Sequence, residues 1–148
     1  MAGDGYTIGR LARETGCKVQ TIRYYEEIGV MPAPNRTEGN QRRYGPRHME
    51  RLAFIRHSRQ LGFPLEAIRQ LLSLADSPDQ PCETADWIAR TQLREVESRI
   101  VRLQALKTEL HRMVEQCEGG QVADCRVIEV LRDHANCLYE DHLAPEQA

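Results

Sequence analysis

Five cysteines, Cys17, Cys82, Cys117, Cys125 and Cys137, are the side chains in this 148-residue chain best suited to chemistry. An odd number, behind a start (MAGDGYTIGR) without the basic-then-apolar pattern of a leader, argues against a disulfide framework. Reduced thiols available for metal or redox work are the better reading. No CxxC occurs, which excludes a zinc ribbon and a thioredoxin-type motif. Cys117 and Cys125 bracket the loop Glu118-Gly119-Gly120-Gln121-Val122-Ala123-Asp124, so these two thiols could close on one soft metal ion. No acid/base or nucleophile constellation appears outside the thiols, so an enzyme is not expected.

A composition of 41% hydrophobic, 28% charged and 5% aromatic residues excludes a disordered tail and suits one ordinary domain or two small ones. No apolar run approaches the roughly 20 residues that span a bilayer, and the chain reads as soluble and cytoplasmic. The net charge of −2 taken alone argues against a nucleic-acid binder. Divided, it says the opposite. Residues 1–73 hold 12 Lys/Arg against 7 Asp/Glu, and residues 74–148 hold 8 against 15. A basic half and an acidic half, the latter with four of the five thiols, suggest two separate jobs.

The elements that must position these groups are mostly helices. Thr7 can cap a helix over Ile8–Thr15 with Ile8, Leu11 and Ala12 on one face, and Gly16 stops it. A second helix, Val19–Ile28, carries Val19, Ile22 and Ile28 as a core stripe and leaves Arg23 and Glu26 to solvent or ligand, ending at Gly29. This pair makes a helix-turn-helix pattern. After Met31-Pro32-Ala33-Pro34, the segment Asn35–Tyr44 with its Gly39-Asn40 turn signal predicts a two-stranded wing carrying Arg36, Arg42, Arg43 and Tyr44. Guanidinium forks and a phenol there suit phosphate oxygens. Pro46 opens a helix to Leu61 with Met49, Leu52, Ala53 and either Ile55 or Phe54 inward. Pro64 starts another with Leu65, Ile68, Leu71 and Leu72 as core, and Arg56 and Arg59 are candidates for further phosphate contacts.

Ala75–Pro81 is the clearest linker. Beyond it, a helix from about Thr84 to Gln116 contains neither Gly nor Pro. Leu93, Ile100, Lys107 and Val114 form one heptad series and Val96, Leu103, Leu110 and Cys117 the other, a seam with one lysine defect that predicts a partner helix. Leu106 and Met113 widen the stripe, so packing against a neighbouring domain is an alternative for part of it. Arg126–Leu131 reads as one or two further helical turns.

Residues 6–72 carry Tyr6-Thr7-Ile8-Gly9-Arg10-Leu11-Ala12, Thr21-Ile22-Arg23-Tyr24-Tyr25-Glu26, Gly29-Val30, Arg36 through Tyr44 and Leu61-Gly62-Phe63. They resemble the DNA-binding half of MerR-family transcription regulators. The linker, long helix and Cys117–Cys125 loop resemble the metal-sensing branch of that family, up to about Leu131. The resemblance implies a mainly α protein with a winged helix-turn-helix domain (1–75), a linker (76–83), a dimerisation helix (84–116) in an antiparallel coiled coil, a metal-binding loop with a short helix (117–132) and a polar tail (133–148). It implies a homodimer that occupies a palindromic promoter with or without metal. The metal-bound form would distort an overlong spacer so that RNA polymerase engages both promoter elements. Implied DNA contacts are Lys18, Gln20, Thr21, Arg23 and Tyr25 on the recognition helix and Arg36, Arg42 and Tyr44 on the wing, with Gln20 a candidate for promoter discrimination.

In the family, copper(I), silver and gold sensors share this loop spacing but carry Ser where Cys82 stands, whereas zinc, cadmium, lead and mercury sensors carry Cys. The resemblance therefore implies a soft divalent ion held by Cys82, Cys117 and Cys125, since a third thiolate offsets charge that two-coordinate Cu(I) lacks. About 33 helical residues span roughly 50 Å, so Cys82 cannot share an ion with Cys117 of its own chain, and an antiparallel partner would supply it. Some zinc-responsive relatives add a second cysteine beside the first and a histidine in the loop. Here Glu118 follows Cys117 and the loop has no His, which weights cadmium, lead or mercury over zinc. His134, Cys137 and His142 are candidate additional ligands; the alternative is a loose tail, poorly ordered without a ligand. Cys17 reads as a small buried residue. The rival readings are a copper(I)/silver regulator of the same fold and a thiol-based redox or electrophile sensor. The iron–sulfur branch would need four clustered cysteines, and drug-binding relatives append a larger ligand domain.

Overall fold

The computed structural model describes residues 5–138. The chain divides into two compact units, Met1–Ala89 and Arg90–Ala148, and the division falls inside one long helix.

In the first unit, helix α1 (Ile8–Thr15) begins where Thr7 Oγ1 accepts the Arg10 N–H at 3.2 Å and ends at Gly16, whose φ of 68° suits a residue without a Cβ. A Cβ there would meet the Arg56 guanidinium at 2.6 Å, because Arg56 donates to the Thr15 carbonyl. Helix α2 (Val19–Glu27) follows, and Gly29 turns the chain with φ 75°. Strands β1 (Asn35–Arg36) and β2 (Arg42–Arg43) pair antiparallel, Asn35 with Arg43 and Arg36 with Arg42. The left-handed turn residue is Asn40, φ 61°, a conformation asparagine tolerates. Tyr6 extends the wing at its root by exchanging backbone hydrogen bonds of 2.7 and 2.9 Å with Tyr44.

Helix α3 (Pro46–Gln60) starts with Pro at its first position, and His48 Nδ1 accepts the Gly45 N–H at 3.0 Å. Helix α4 (Leu65–Ala75) follows. Leu11, Ile22, Tyr25, Val30, Met31, Tyr44, Leu52, Ile55, Ile68 and Leu72 form the core, with Cys17 half-buried against it. The choice on α3 resolves to Ile55, in the register His48–Leu52–Ile55; Phe54 and Ala53 face outward. Ile55→Ala is therefore expected to cost about 2–5 kcal/mol and Phe54→Ala less than about 1 kcal/mol, measured by urea unfolding.

Helix α5 (Glu83–Glu115) runs from the first unit into the second. In the second unit its seam positions Leu93, Val96, Ile100, Leu103, Leu110 and Val114 are all exposed in the single chain. Met113 is buried and Leu106 half-buried on a separate face with Glu109. A loop turning through Gly119 and Gly120 leads by way of a 3-10 turn (Val122–Asp124) to helix α6 (Arg126–Arg132) and a second turn (His134–Asn136). Side chains of α5 and of Gln116 just past it hold this segment back. Gln116 accepts from Arg126 at 2.9 Å, Arg112 donates to the Asn136 carbonyl at 3.1 Å, and Glu109 Oε2 accepts the Leu138 N–H at 2.8 Å. Residues 133–138, expected to be a loose tail, are thus folded onto their own helix, and Glu109 is only 3% exposed beneath them. Residues 139–148, including His142, lie outside the described residues. Among the described residues no helix is long and apolar enough to cross a membrane.

Candidate functional site

The first turns of α2 present Lys18, Gln20 and Arg23 to solvent, with Thr21 half-buried beside them. Across a groove of about 300 Å³ that Arg23, Glu26, Pro34, Arg36 and Arg42 line, the wing presents exposed Arg36 and Arg42. Arg36 Nη1 donates to the Asn40 carbonyl and side-chain oxygens, both at 3.2 Å, which braces the turn and leaves its other N–H groups free for an anion. Basic side chains on a helix and on a neighbouring hairpin form two arms of one surface suited to a phosphate backbone.

Both aromatic contacts drawn from the resemblance, Tyr25 and Tyr44, are packed inward. Tyr25 is buried, and burial pushes its hydroxyl above the ordinary phenol range. Tyr44 is 0% exposed, with its ring edge-on to His48 and its hydroxyl donating to Glu26 Oε1 at 2.6 Å. Burial and that carboxylate push Tyr44 up to about 12. In this arrangement both tyrosines shape the surface from beneath. On α3, one donor of Arg56 caps the Thr15 carbonyl and one of Arg59 reaches the Phe63 carbonyl at 3.2 Å, so both side chains brace the fold as well as carrying charge.

Glu26, read from the sequence as open to solvent or ligand, is the residue that reading missed. Its side chain is 11% exposed and takes Tyr44 on one oxygen and Arg42, at 3.5 Å, on the other. The signal was its position four residues after the core residue Ile22, on the buried side of α2.

At the other end of the chain, Cys117 is exposed just past α5 and Cys125 is the residue before α6. The loop brings these two together. Cys125 Sγ accepts hydrogen bonds from the backbone N–H groups of Ile128 and Val127 and interacts with the Cys117 thiol, which holds the Cys125 thiol below its ordinary range. Cys82 is exposed at the opposite end of α5, where its carbonyl accepts the Asp86 N–H at 2.9 Å. His134 is exposed and Cys137 half-buried. Among the described residues, no three His, Cys, Asp or Glu side chains of the one chain converge as metal ligands.

A winged helix-turn-helix unit joined by a long helix to a paired-thiol loop defines a DNA-binding regulator with a sensor at its far end. Residues 6–75 match the family described as MerR HTH family regulatory protein, and residues 49–113 the one described as MerR, DNA binding. The chain is 41% identical over 134 residues to the HTH-type transcriptional regulator ZntR of Escherichia coli K12, covering 88% of this chain and 95% of that one. Among solved structures it is similar to the transcription regulator PbrR691 from Ralstonia metallidurans CH34 in complex with lead(II), with TM-score 0.74, 36% identity and coverage of 85% and 98%. It is also similar to MerR from Bacillus megaterium MB1 in complex with mercury(II), with TM-score 0.66, 28% identity and coverage of 86% and 100%. The chain belongs to the MerR family of transcription regulators, in its metal-sensing branch. These are DNA-binding proteins and not enzymes.

Proposed function

We propose that a homodimer of this chain sits on a palindromic promoter and answers a soft divalent ion, zinc, cadmium, lead or mercury. Binding of the ion distorts the DNA so that RNA polymerase transcribes metal-resistance or efflux genes. The observation that carries the reading is the pairing of Cys117 with Cys125, one thiol exposed and the other held low by two amides, at the end of a helix anchored in a DNA-binding unit. Soft thiolate donors fit such an ion, and the neighbouring amides favour the deprotonated sulfur that ligation requires. The solved lead(II) and mercury(II) complexes of similar proteins point the same way.

Two thiolates leave a divalent ion short of ligands. Cys82 of the partner subunit completes the set, because a helix of 33 residues, about 50 Å, separates the two ends within one chain. The bound ion then ties the loop of one protomer to the start of the long helix in the other. That cross-link biases how the two DNA-binding units stand, provided the ion binds one arrangement more tightly. Lys18, Gln20, Thr21, Arg23, Arg36 and Arg42 make the DNA contacts in this reading, with Tyr25 and Tyr44 supporting them.

One observation favours a second reading. Cys117 and Cys125 pair within one chain, a two-sulfur donor set that suits two-coordinate copper(I) or silver. Anaerobic titration of the reduced protein with Zn(II), Cd(II), Pb(II), Hg(II) and Cu(I), followed by thiolate-to-metal absorption, tests both. No ion binding more tightly than about micromolar would remove metal sensing altogether. Cys82→Ser is expected to abolish the divalent response while DNA binding and part of the Cu(I) binding persist. An unchanged divalent response in that variant removes Cys82 from the site.

A further inference from the structure

We infer that Glu26 is a positioning residue for DNA reading: its carboxylate ties the wing to the recognition helix and fixes where Arg36 and Arg42 stand relative to Lys18, Gln20 and Arg23. The inference is independent of the metal. A ladder of two residue pairs, Asn35–Arg43 and Arg36–Arg42, is too short to hold a hairpin in one orientation by itself. The backbone bridge to Tyr6 pins its root. A buried ring at Tyr44 resists withdrawal but leaves the strand free to rock about it. The Tyr44 hydroxyl on Glu26 Oε1, at 2.6 Å, removes that freedom, because it joins the residue that follows β2 to α2. Arg42 Nη1 on the other oxygen, at 3.5 Å, adds a second strut from the outer pair of the ladder. A guanidinium has five N–H donors, so one on Glu26 leaves the others to a phosphate; the side chain is 39% exposed. The phenol of Tyr44, pushed up to about 12, remains a proton donor throughout the neutral range.

Charge and geometry make opposite forecasts at this residue, which is what makes the role testable. If Glu26 acted only as a negative charge beside a phosphate-binding surface, removing it would tighten binding to every DNA, and Glu26→Ala and Glu26→Gln would behave alike. If it positions the wing, Glu26→Ala weakens binding to a preferred sequence. Glu26→Gln, which keeps an acceptor for Tyr44, recovers part of the loss.

The experiment uses the full-length chain and two duplexes of equal length: one selected by the wild-type protein from a random-sequence pool, the other of random sequence. Affinities are measured well below each variant's melting midpoint. Glu26→Ala is expected to lower affinity for the selected duplex about tenfold, the scale of a hydrogen bond to a charged group, and to leave random-duplex affinity within about twofold. Glu26→Gln should fall between Glu26→Ala and wild type. Tyr44→Phe, which keeps the ring, should lose discrimination in the same direction. Combined with Glu26→Ala it should add little, since both break one contact. Equal or tighter binding of the selected duplex by Glu26→Ala overturns the inference, as does a matched loss on both duplexes. If Glu26→Ala does not fold, Tyr44→Phe decides alone: discrimination equal to wild type overturns the inference, and reduced discrimination supports it.

Discussion

Cys125→Ser is expected to abolish the metal response outright while the protein still folds and binds DNA. Outer-shell losses at metal sites cost about 10- to 100-fold in affinity, and removal of a donor atom should exceed that range. Cys125 is the stronger choice of the loop pair because its sulfur is already held by the Ile128 and Val127 amides, in an orientation that also meets Cys117. Serine would keep those hydrogen bonds, so α6 should survive and circular dichroism should be unchanged. The soft donor alone would be lost. Cys137→Ser is the matched control: Cys137 is half-buried between residues that α5 grips by their backbone, and its loss should leave the titration endpoint where it was.

The same hydrogen bonds set a pH dependence. Ligation requires thiolates, so acidification weakens uptake as each thiol gains a proton. A thiol held below its ordinary range gains its proton later as pH falls. The thiolate absorbance that wild type has over Cys125→Ser should therefore persist to lower pH than that of a free Cys117→Ser peptide of residues 117–125, which lacks the α6 amides. Coincident titrations would mean that the amides do not reach the sulfur in solution.

Elements with a cap residue at each end were legible in the sequence. Helix α1 runs over the residues anticipated because Thr7 and Gly16 mark its ends by local chemistry, and Pro46 marks the start of α3 in the same way. What was not legible were roles fixed by partners far along the chain. Phe54 and Ile55 are neighbours of similar apolarity about 100° apart on a helix, and only the packed core chooses between them. Tyr44 carries a ring that can be buried and a hydroxyl that can meet a phosphate, and its partner Glu26 stands 18 residues earlier. The loop thiols were legible as a pair because their spacing is local, whereas the clamp of Glu109 and Arg112 on residues 136–138 has no spacing signature.

The arginines show the same limit. The basic half looked like a store of phosphate contacts, yet Arg56 caps the Thr15 carbonyl, Arg69 caps Ile28 at 2.8 Å, and Arg51 donates to Val30 at 3.0 Å and pairs with Asp76. Arg56 and Arg69 close the C-terminal ends of α1 and α2, where carbonyls lack helical partners, and Arg51 holds the turn that follows α2. They still contribute positive potential at long range, which speeds encounter with DNA. On α2 and the wing, by contrast, Arg23, Arg36 and Arg42 stand exposed together around one groove, and Lys18 is exposed just before α2.

The seam of α5 carries the second large prediction. Leu93, Val96, Ile100, Leu103, Leu110 and Val114 stand open in the single chain, Leu103 at 63% exposure, while Met113 on another face is buried. An isolated helix has no reason to repeat apolar residues at heptad spacing on a wet face; a partner helix does. Placing aspartate at both Ile100 and Leu103 should be nearly neutral, within about 0.5 kcal/mol, if the chain works alone. In a homodimer the pair removes four buried side chains, each contributing about 1.5–3 kcal/mol, and adds four charges to a desolvated seam. Dimer affinity should then fall by at least about 10⁴-fold, read by sedimentation equilibrium. Lys107 gives the opposite sign. It stands in the seam where an apolar residue would pack, so Lys107→Leu should tighten the dimer at the expense of register, as polar seam residues trade stability for alignment. Identical sedimentation of wild type and both variants would remove the seam as the dimer contact. If the dimer does separate, Cys117 and Cys125 remain paired in each free chain, but Cys82 of the partner subunit is gone. Divalent uptake should then fall with dimerisation, while two-coordinate Cu(I) binding survives in the monomer.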